Sequence, residues 1–346
     1  MRLLIATDAW RPQINGVVRS LENIAPFASE FGASTTFLTP DDFRSVPLPT
    51  YREIRLSLAT PWAAARALAA VDATHVHVAT EGPIGIAVRR ACLRERMSFT
   101  TSYHTRFPEY VAARAPVPER WTYAWLRRFH NAGRGVMVST PSMARELSHR
   151  GFRNIMRWTR GVDASLFRPR PGRSLQLQRP IFLFVGRLAV EKNLAAFLAI
   201  ELPGSKVIVG DGPDRAGLAA ANPAAHFLGP RSGEALAEIY ASADVFVFPS
   251  LTDTFGIVLL EALASGLPIA AFPATGPIDV IGTSGCGVLD QDLRKAALGA
   301  LEIRKDACRA HGLTFTWRES ARQFFANIQM AHTARRDAPL PAEAAM

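Results

Sequence analysis

Cysteine is scarce, with three in 346 residues. Cys92, Cys286 and Cys308 lie far apart with no CxxC or histidine spacing. That argues against a disulfide framework and a thiolate metal site, and it fits a reducing compartment. Long apolar runs are also missing. The opening Met1-Arg2-Leu3-Leu4-Ile5-Ala6-Thr7-Asp8 meets polar residues too soon for a signal-peptide core. The most apolar long stretch, residues 255–276, carries Glu261, Pro268 and Pro273, so no segment reads as a membrane span. Phosphate-loop fingerprints are lacking too. There is no GxxxxGK[ST], and Val209-Gly210-Asp211-Gly212-Pro213 does not complete GxGxxG, which argues against P-loop NTPases and dinucleotide dehydrogenases. Lysine is rare, four residues against 36 arginines.

What is present describes an ordinary folded chain. The length suits about two domains, and 48% hydrophobic with 20% charged residues is neither disordered nor fibrous. The net charge of +10 is unevenly placed. Residues 1–170 hold 24 Arg against 13 acidic residues, while residues 171–346 hold 16 Lys and Arg against 17 acidic residues. A basic first half suits a polyanion, either nucleic acid or an anionic membrane surface, and composition does not separate the two. An arginine bias in codon usage is the alternative source of the excess.

Short β-rich runs at 3–6, 33–38, 75–78, 99–102 and 135–139 alternate with helix-length stretches, the pattern of a parallel α/β sheet. A second series follows at 181–185, 205–209, 224–228, 245–248 and 268–272. Two doubly wound domains are implied, 1–170 and 171–317. The linker falls at Arg168-Pro169-Arg170-Pro171-Gly172-Arg173-Ser174, where Pro and Gly oppose helix and strand. The tail 335–346 reads as frayed. Ligands of such sheets bind at the carboxyl ends of the strands, so a cleft between the domains is the expected site.

Several loops carry chemistry. Gly16, in Asn15-Gly16-Val17-Val18, opens a helix whose amides can face an anion, or it serves as a turn glycine. Arg187 and Lys192 share the strand-to-helix turn 186–193 and suit a diphosphate. Asp253 and Glu261 flank a glycine-containing turn and the start of a very apolar helix. A buried Glu261 needs a partner, such as sugar or ribose hydroxyls, and amides near Phe255 and Gly256 can contact others. Asp253 as a helix cap is the alternative. His104 follows a predicted strand. Glu81 reads either as an acceptor-side group or as a turn and capping residue. Asp290-Gln291-Asp292 spells D-x-D but reads as a loop feature.

Asp253 to Glu261 resembles the E-x7-E motif of retaining glycosyltransferases of family 4, which have the GT-B fold, with Asp in place of the first Glu. Other pieces agree in order: the Asn15-Gly16-Val17 loop, Ser102-Tyr103-His104-Thr105-Arg106-Phe107-Pro108-Glu109-Tyr110, Arg160-Gly161-Val162-Asp163, Gly186-Arg187 with Lys192, and Gly210-Asp211-Gly212-Pro213. The resemblance implies two Rossmann-like domains and a final helix at 318–334 crossing back to the first. It also implies a donor diphosphate held by Gly16, Arg187 and Lys192, a sugar held by Asp253 and a ribose held by Glu261. His104 would then stand near the transferred sugar, with no metal or cofactor required. Asp253 is one methylene shorter than the family's Glu. The Thr252-Asp253-Thr254-Phe255-Gly256 form is similar to a branch that includes GDP-mannose-dependent mannosyltransferases, sulfoquinovosyl-diacylglycerol synthase and bacterial diacylglycerol glycosyltransferases.

The stretch 114–134 interleaves Arg120, Arg127, Arg128 and Arg134 with Trp121, Tyr123, Trp125 and Phe129. Such a mixture suits the interface of an anionic bilayer, or single-stranded nucleic acid, or an amphipathic helix packed on its own sheet. No RNP, KH or helix-turn-helix signature supports nucleic acid. The combined expectation is an enzyme at the inner face of the cytoplasmic membrane, transferring a hexose or uronic acid from a UDP-sugar to a lipid such as diacylglycerol. The alternatives are a GDP-mannose-dependent mannosyltransferase and a basic nucleic-acid-binding module.

Overall fold

The computed structural model describes residues 1–13, 15–48, 51–112, 116–171 and 175–333. Arg114, part of the expected linker (172–174) and the expected tail lie outside the described residues. The chain forms two compact units, Met1–Arg160 with the chain from Trp317 onward, and Gly161–Thr316.

The first unit is built from β1 (Arg2–Ala6), α1 (Gly16–Ile24), β2 (Ser34–Leu38), the antiparallel hairpin β3 (Ser45–Leu48) and β4 (Tyr51–Ser57), α2 (Pro61–Ala70), β5 (His75–Val78) and α3 (Pro83–Arg94). It continues with β6 (Thr100–Ser102), α4 (Phe107–Ala112), α5 (Glu119–His130), β7 (Gly135–Val138), α6 (Pro141–His149) and β8 (Ile155–Arg157). Its parallel sheet has the order β2-β1-β5-β6-β7-β8. Alternation along β1 sets the two faces. Leu3 and Ile5 pack with α1 and the returning helix, whereas Leu4 and Ala6 pack with α2 and α3.

The second unit runs β9 (Ile181–Val185), α7 (Leu194–Ala199), β10 (Ser205–Val209), α8 (Arg215–Ala221), β11 (His226–Gly229), α9 (Gly233–Ser242), β12 (Val245–Phe248), α10 (Ile257–Ala264), β13 (Ile269–Ala271), α11 (Thr275–Ile281), β14 (Gly287–Leu289), α12 (Leu293–Ala300) and α13 (Lys305–Gly312). The sheet order is β11-β10-β9-β12-β13-β14, again all parallel. Every residue of β9 is buried, as a strand covered on both faces requires.

The return helix α14 (Trp317–Thr333) packs Phe324, Phe325 and Ile328 into the first unit. The change of unit comes after Arg160 rather than at 170, and the reason is apolar burial. Val162 and Phe167 belong to the second unit's core, and the Val162 amide donates to the Phe315 carbonyl at 3.1 Å. Among the described residues, no helix is long and apolar enough to cross a membrane.

Candidate active site

The expected residues fall into two groups, one on each unit. In the second unit the loops after β9 and β12 are stitched together. Ser250 Oγ and Thr252 Oγ1 donate to the Glu191 carbonyl at 3.2 and 3.3 Å, and Asn193 Nδ2 donates to the Pro249 carbonyl at 3.2 Å. This brings Lys192 Nζ to 2.6 and 2.8 Å from the two carboxylate oxygens of Asp253. Asp253 therefore forms an ion pair with Lys192 rather than acting as a helix cap; Gly256 is the residue that opens α10. Arg187 stands half-buried on the β9 loop. A Cβ on Gly210 would lie 1.9 Å from the Gly186 carbonyl oxygen, and one on Gly212 would lie 2.3 Å from that of Leu188. These two glycines thus let the β10 loop lie directly against the loop that carries Arg187.

The helix α10, Ile257-Val258-Leu259-Leu260-Glu261-Ala262-Leu263-Ala264, buries its one carboxylate; Glu261 is 2% exposed. One partner inside the protein is Tyr240 of α9, fully buried, whose hydroxyl donates to Glu261 Oε2 at 3.0 Å. Tyr240 gave no signal in the sequence beyond a tyrosine on an apolar helix face. Phe255 packs its ring into the core, so the contact expected there belongs to its backbone alone. Gly256 is required by its φ of +85° and by Phe248, whose Cζ would meet a Cβ at 3.0 Å.

In the first unit the groups gather at the carboxyl ends of the strands. Gly16 is the first residue of α1, and Asn15 Oδ1 accepts from the Val17 and Val18 amides at 3.0 Å each. Two amides beside Gly16 are therefore capped from within rather than turned to an anion. His104 follows β6, and Arg160 Nη2 donates to its Nδ1 at 3.1 Å. Burial first, then Arg160, His77 and His130, hold the His104 imidazole well below its usual range. Burial also brings the Arg160 guanidinium down to about 9.

Glu81 Oε1 lies 3.1 Å from His130 Nε2, and His130 Nδ1 lies 2.9 Å from Thr101 Oγ1. The helix beside it is anchored by Asp8, which the sequence reading missed. Asp8 accepts from the Ile84 and Gly85 amides at 2.8 and 3.2 Å and from Thr80 Oγ1 at 2.8 Å. Burial outweighs these bonds and pushes its carboxyl up. Gly82 is the sequence signal for this arrangement, since a Cβ there would strike the Asp8 carboxylate at 2.5 Å.

The helix α5 buries Tyr123, Leu126 and Phe129 and turns Trp121 and Trp125 outward, 63% and 42% exposed, with Arg120, Arg127 and Arg128 also exposed. Arg127 additionally donates to the Arg150 carbonyl at 3.1 Å. A third exposed tryptophan, Trp62 of α2, carries the Arg94 guanidinium 4.4 Å above its ring. Asp292 caps α12 through the Arg294 and Lys295 amides, and Asp290 pairs with Lys295. The D-x-D is therefore engaged in capping and pairing. Among the described residues, no group of three or more His, Cys, Asp or Glu could hold a metal ion.

Two family models match the chain: Glycosyltransferase Family 4 over residues 14–166 and Glycosyl transferases group 1 over residues 179–306. A GDP-mannose-dependent alpha-mannosyltransferase of Mycobacterium tuberculosis is 33% identical over 84% of this chain and 83% of its own. Sulfoquinovosyl transferase SQD2 of Arabidopsis thaliana is 29% identical over 78% of this chain, which spans 58% of that protein's length. Among solved structures, Anabaena Alr3699/HepE in complex with UDP has a TM-score of 0.70 at 14% identity, covering 95% of this chain and 100% of its own. Sucrose-phosphate synthase of Thermosynechococcus elongatus has a TM-score of 0.70 at 20% identity, covering 95% of this chain and 96% of its own. The α/β fold with two parallel sheets, the ordered motifs and these matches together identify the chain as a member of the family 4 glycosyltransferases, with the GT-B fold.

Proposed function

We propose that the protein is a retaining, metal-independent hexosyl or uronosyl transferase that moves the sugar of a UDP-sugar to a membrane lipid, diacylglycerol or its monoglycosyl form. The observation that carries the lipid reading is α5, whose buried face fastens it while two tryptophans and three arginines face outward. Indole rings favour the bilayer interface and guanidinium groups favour anionic headgroups. The enzyme would then work at the inner face of the cytoplasmic membrane.

In this reading Lys192 and Arg187 neutralise the departing diphosphate. Asp253, now the counter-ion of Lys192, exchanges that contact for the sugar's hydroxyls as phosphate oxygens compete for the ammonium. Glu261 accepts from the ribose hydroxyls. His104 lies beside the transferred sugar, and Glu81, oriented by His130, faces the acceptor. No side chain is assigned as a covalent nucleophile. The departing diphosphate oxygen takes the acceptor's proton on the same face, so the protein mainly positions groups and neutralises charge.

A second reading is favoured by the 33% identity to a relative named GDP-mannose-dependent alpha-mannosyltransferase: donor GDP-mannose, with the same site. The test is incubation with anionic vesicles containing diacylglycerol and, separately, UDP-glucose, UDP-galactose, UDP-glucuronate and GDP-mannose, with lipids read by mass spectrometry. A glycosyl-diacylglycerol from a UDP donor is the expected product. Product from GDP-mannose alone selects the second reading, and donor hydrolysis without lipid product overturns the lipid acceptor. Thermal shift with UDP against GDP checks the donor base independently, since a ligand at 100 times its Kd adds about 2.7 kcal/mol to folding stability.

A further inference from the structure

Arg160 is 4% exposed, and among the described residues no carboxylate pairs with it. A buried cation without a counter-ion is costly, so its retention needs a reason. The surroundings hold it rigidly. Nη1 donates to the Trp158 and Thr159 carbonyls at 2.6 and 3.0 Å, and the guanidinium lies 4.0 Å over the Trp158 ring. Trp158 is fixed in turn by α14, its Nε1 donating to Ser320 Oγ at 3.1 Å and its ring lying 4.7 Å from that of Phe324. The remaining direction of the fork, Nη2, points at His104 Nδ1, 3.1 Å away.

A guanidinium only donates, so the nitrogen facing it must offer a lone pair. We propose that Arg160 is a positioning residue that fixes His104 as the neutral tautomer protonated at Nε2, making that nitrogen an N–H donor. The inference rests on the reading that places His104 beside the transferred sugar, where an Nε2–H would bond a sugar oxygen. The other titratable groups acting on His104 are His77 of β5 and His130 of α5, and both disfavour a charged ring as Arg160 does. In this arrangement the returning helix supports the site through Ser320, Trp158 and Arg160.

The first measurement is the nitrogen-15 spectrum of the intact enzyme labelled at histidine, with His104→Gln used for assignment. The expected result is one neutral ring protonated at Nε2 across pH 6–8. A ring protonated at Nδ1, or charged at pH 7, overturns the proposal without reference to turnover. The second is a kinetic pH profile on diacylglycerol vesicles with whichever of UDP-glucose and GDP-mannose turns over. Arg160→Met, checked for folding by its melting curve, should lose roughly tenfold in kcat and move any acid limb of the profile to higher pH than in wild type, since one of the groups that disfavour a charged ring is gone while burial remains; Arg160→Lys should recover part of the rate. A folded Arg160→Met with the wild-type rate and profile overturns the proposal. The underlying reading has its own control. His104→Gln, which can still offer an N–H, should retain about tenfold more activity than His104→Ala. If His104→Ala is as active as wild type, it is the placement of His104 that fails.

Discussion

At the scale of single residues, the second unit separates two kinds of carboxylate. Asp253 is partly open and holds an ammonium, so its partner can be exchanged when a donor arrives. Glu261 is buried and held by a phenol, so its direction is set before any ligand binds. Different kinetic signatures follow. Lys192→Ala should lower kcat by roughly a hundredfold, because the negative charge that this ammonium faces grows as the diphosphate departs. Glu261→Ala should instead raise the donor KM, by about tenfold or more, with a smaller change in kcat, since hydrogen bonds to a charged group are worth about 1.5–3 kcal/mol. Tyr240→Phe keeps the ring in its pocket and removes only the hydroxyl, so it should move KM in the same direction by severalfold. Steady-state kinetics with varied donor checks all three variants, and unchanged parameters in both Lys192→Ala and Glu261→Ala would sink the donor-site assignment.

At the scale of elements, what could be read from the sequence depended on whether an element announces itself locally. The strands β9 and β12 are continuous apolar runs and were legible. The edge strands β8 and β14, three residues each, and the inserted hairpin β3-β4 were not, because their pairing rather than their composition makes them strands. The loops after β9 and β12 were legible as motifs. Their pairing was not, since Lys192 meets Asp253 across 61 residues of sequence and nothing local records that contact. The boundary between the units falls ahead of the expected linker for a related reason: Pro and Gly mark an absence of helix and strand, while Val162 and Phe167 are buried in the second unit's core. Glycine spacing did carry real information. Gly210→Ala should destabilise the second unit by about 2–4 kcal/mol, because the Cβ would overlap the Gly186 carbonyl, and a melting curve will show it. On α5, Trp121→Ser and Trp125→Ser combined with Arg127→Gln and Arg128→Gln should weaken binding to anionic vesicles roughly 30-fold or more, given about 1 kcal/mol for each basic residue at such a surface. The melting temperature should change little, because the core side of α5 is untouched. Unaltered flotation would place the docking surface elsewhere.

At the scale of the whole molecule, the first unit holds His75, His77 and His104 below the usual imidazole range, and its stability should therefore depend on pH. His77 is fully buried between Thr100 and Ser102, its Nδ1 at 2.8 Å from one hydroxyl and its Nε2 at 3.0 Å from the other. Burial first, and Arg160 second, bring it down to about 3. In the unfolded chain the same imidazole titrates at about 6.5. Because the folded value is the lower one, the unfolded state binds more protons between the two. The stabilisation is thus fully present above about pH 6.5 and is lost as the pH falls from there toward about 3. At pH 5 the loss from His77 alone is about 2 kcal/mol, taking about 1.4 kcal/mol for each pH unit below the unfolded value. His104 contributes in the same direction. Denaturant melts of wild type and His77→Gln at pH 7.5 and pH 5 check this. The glutamine variant starts less stable but should lose about 2 kcal/mol less than wild type on acidification, whereas equal losses would mean that His77 is already protonated in the fold.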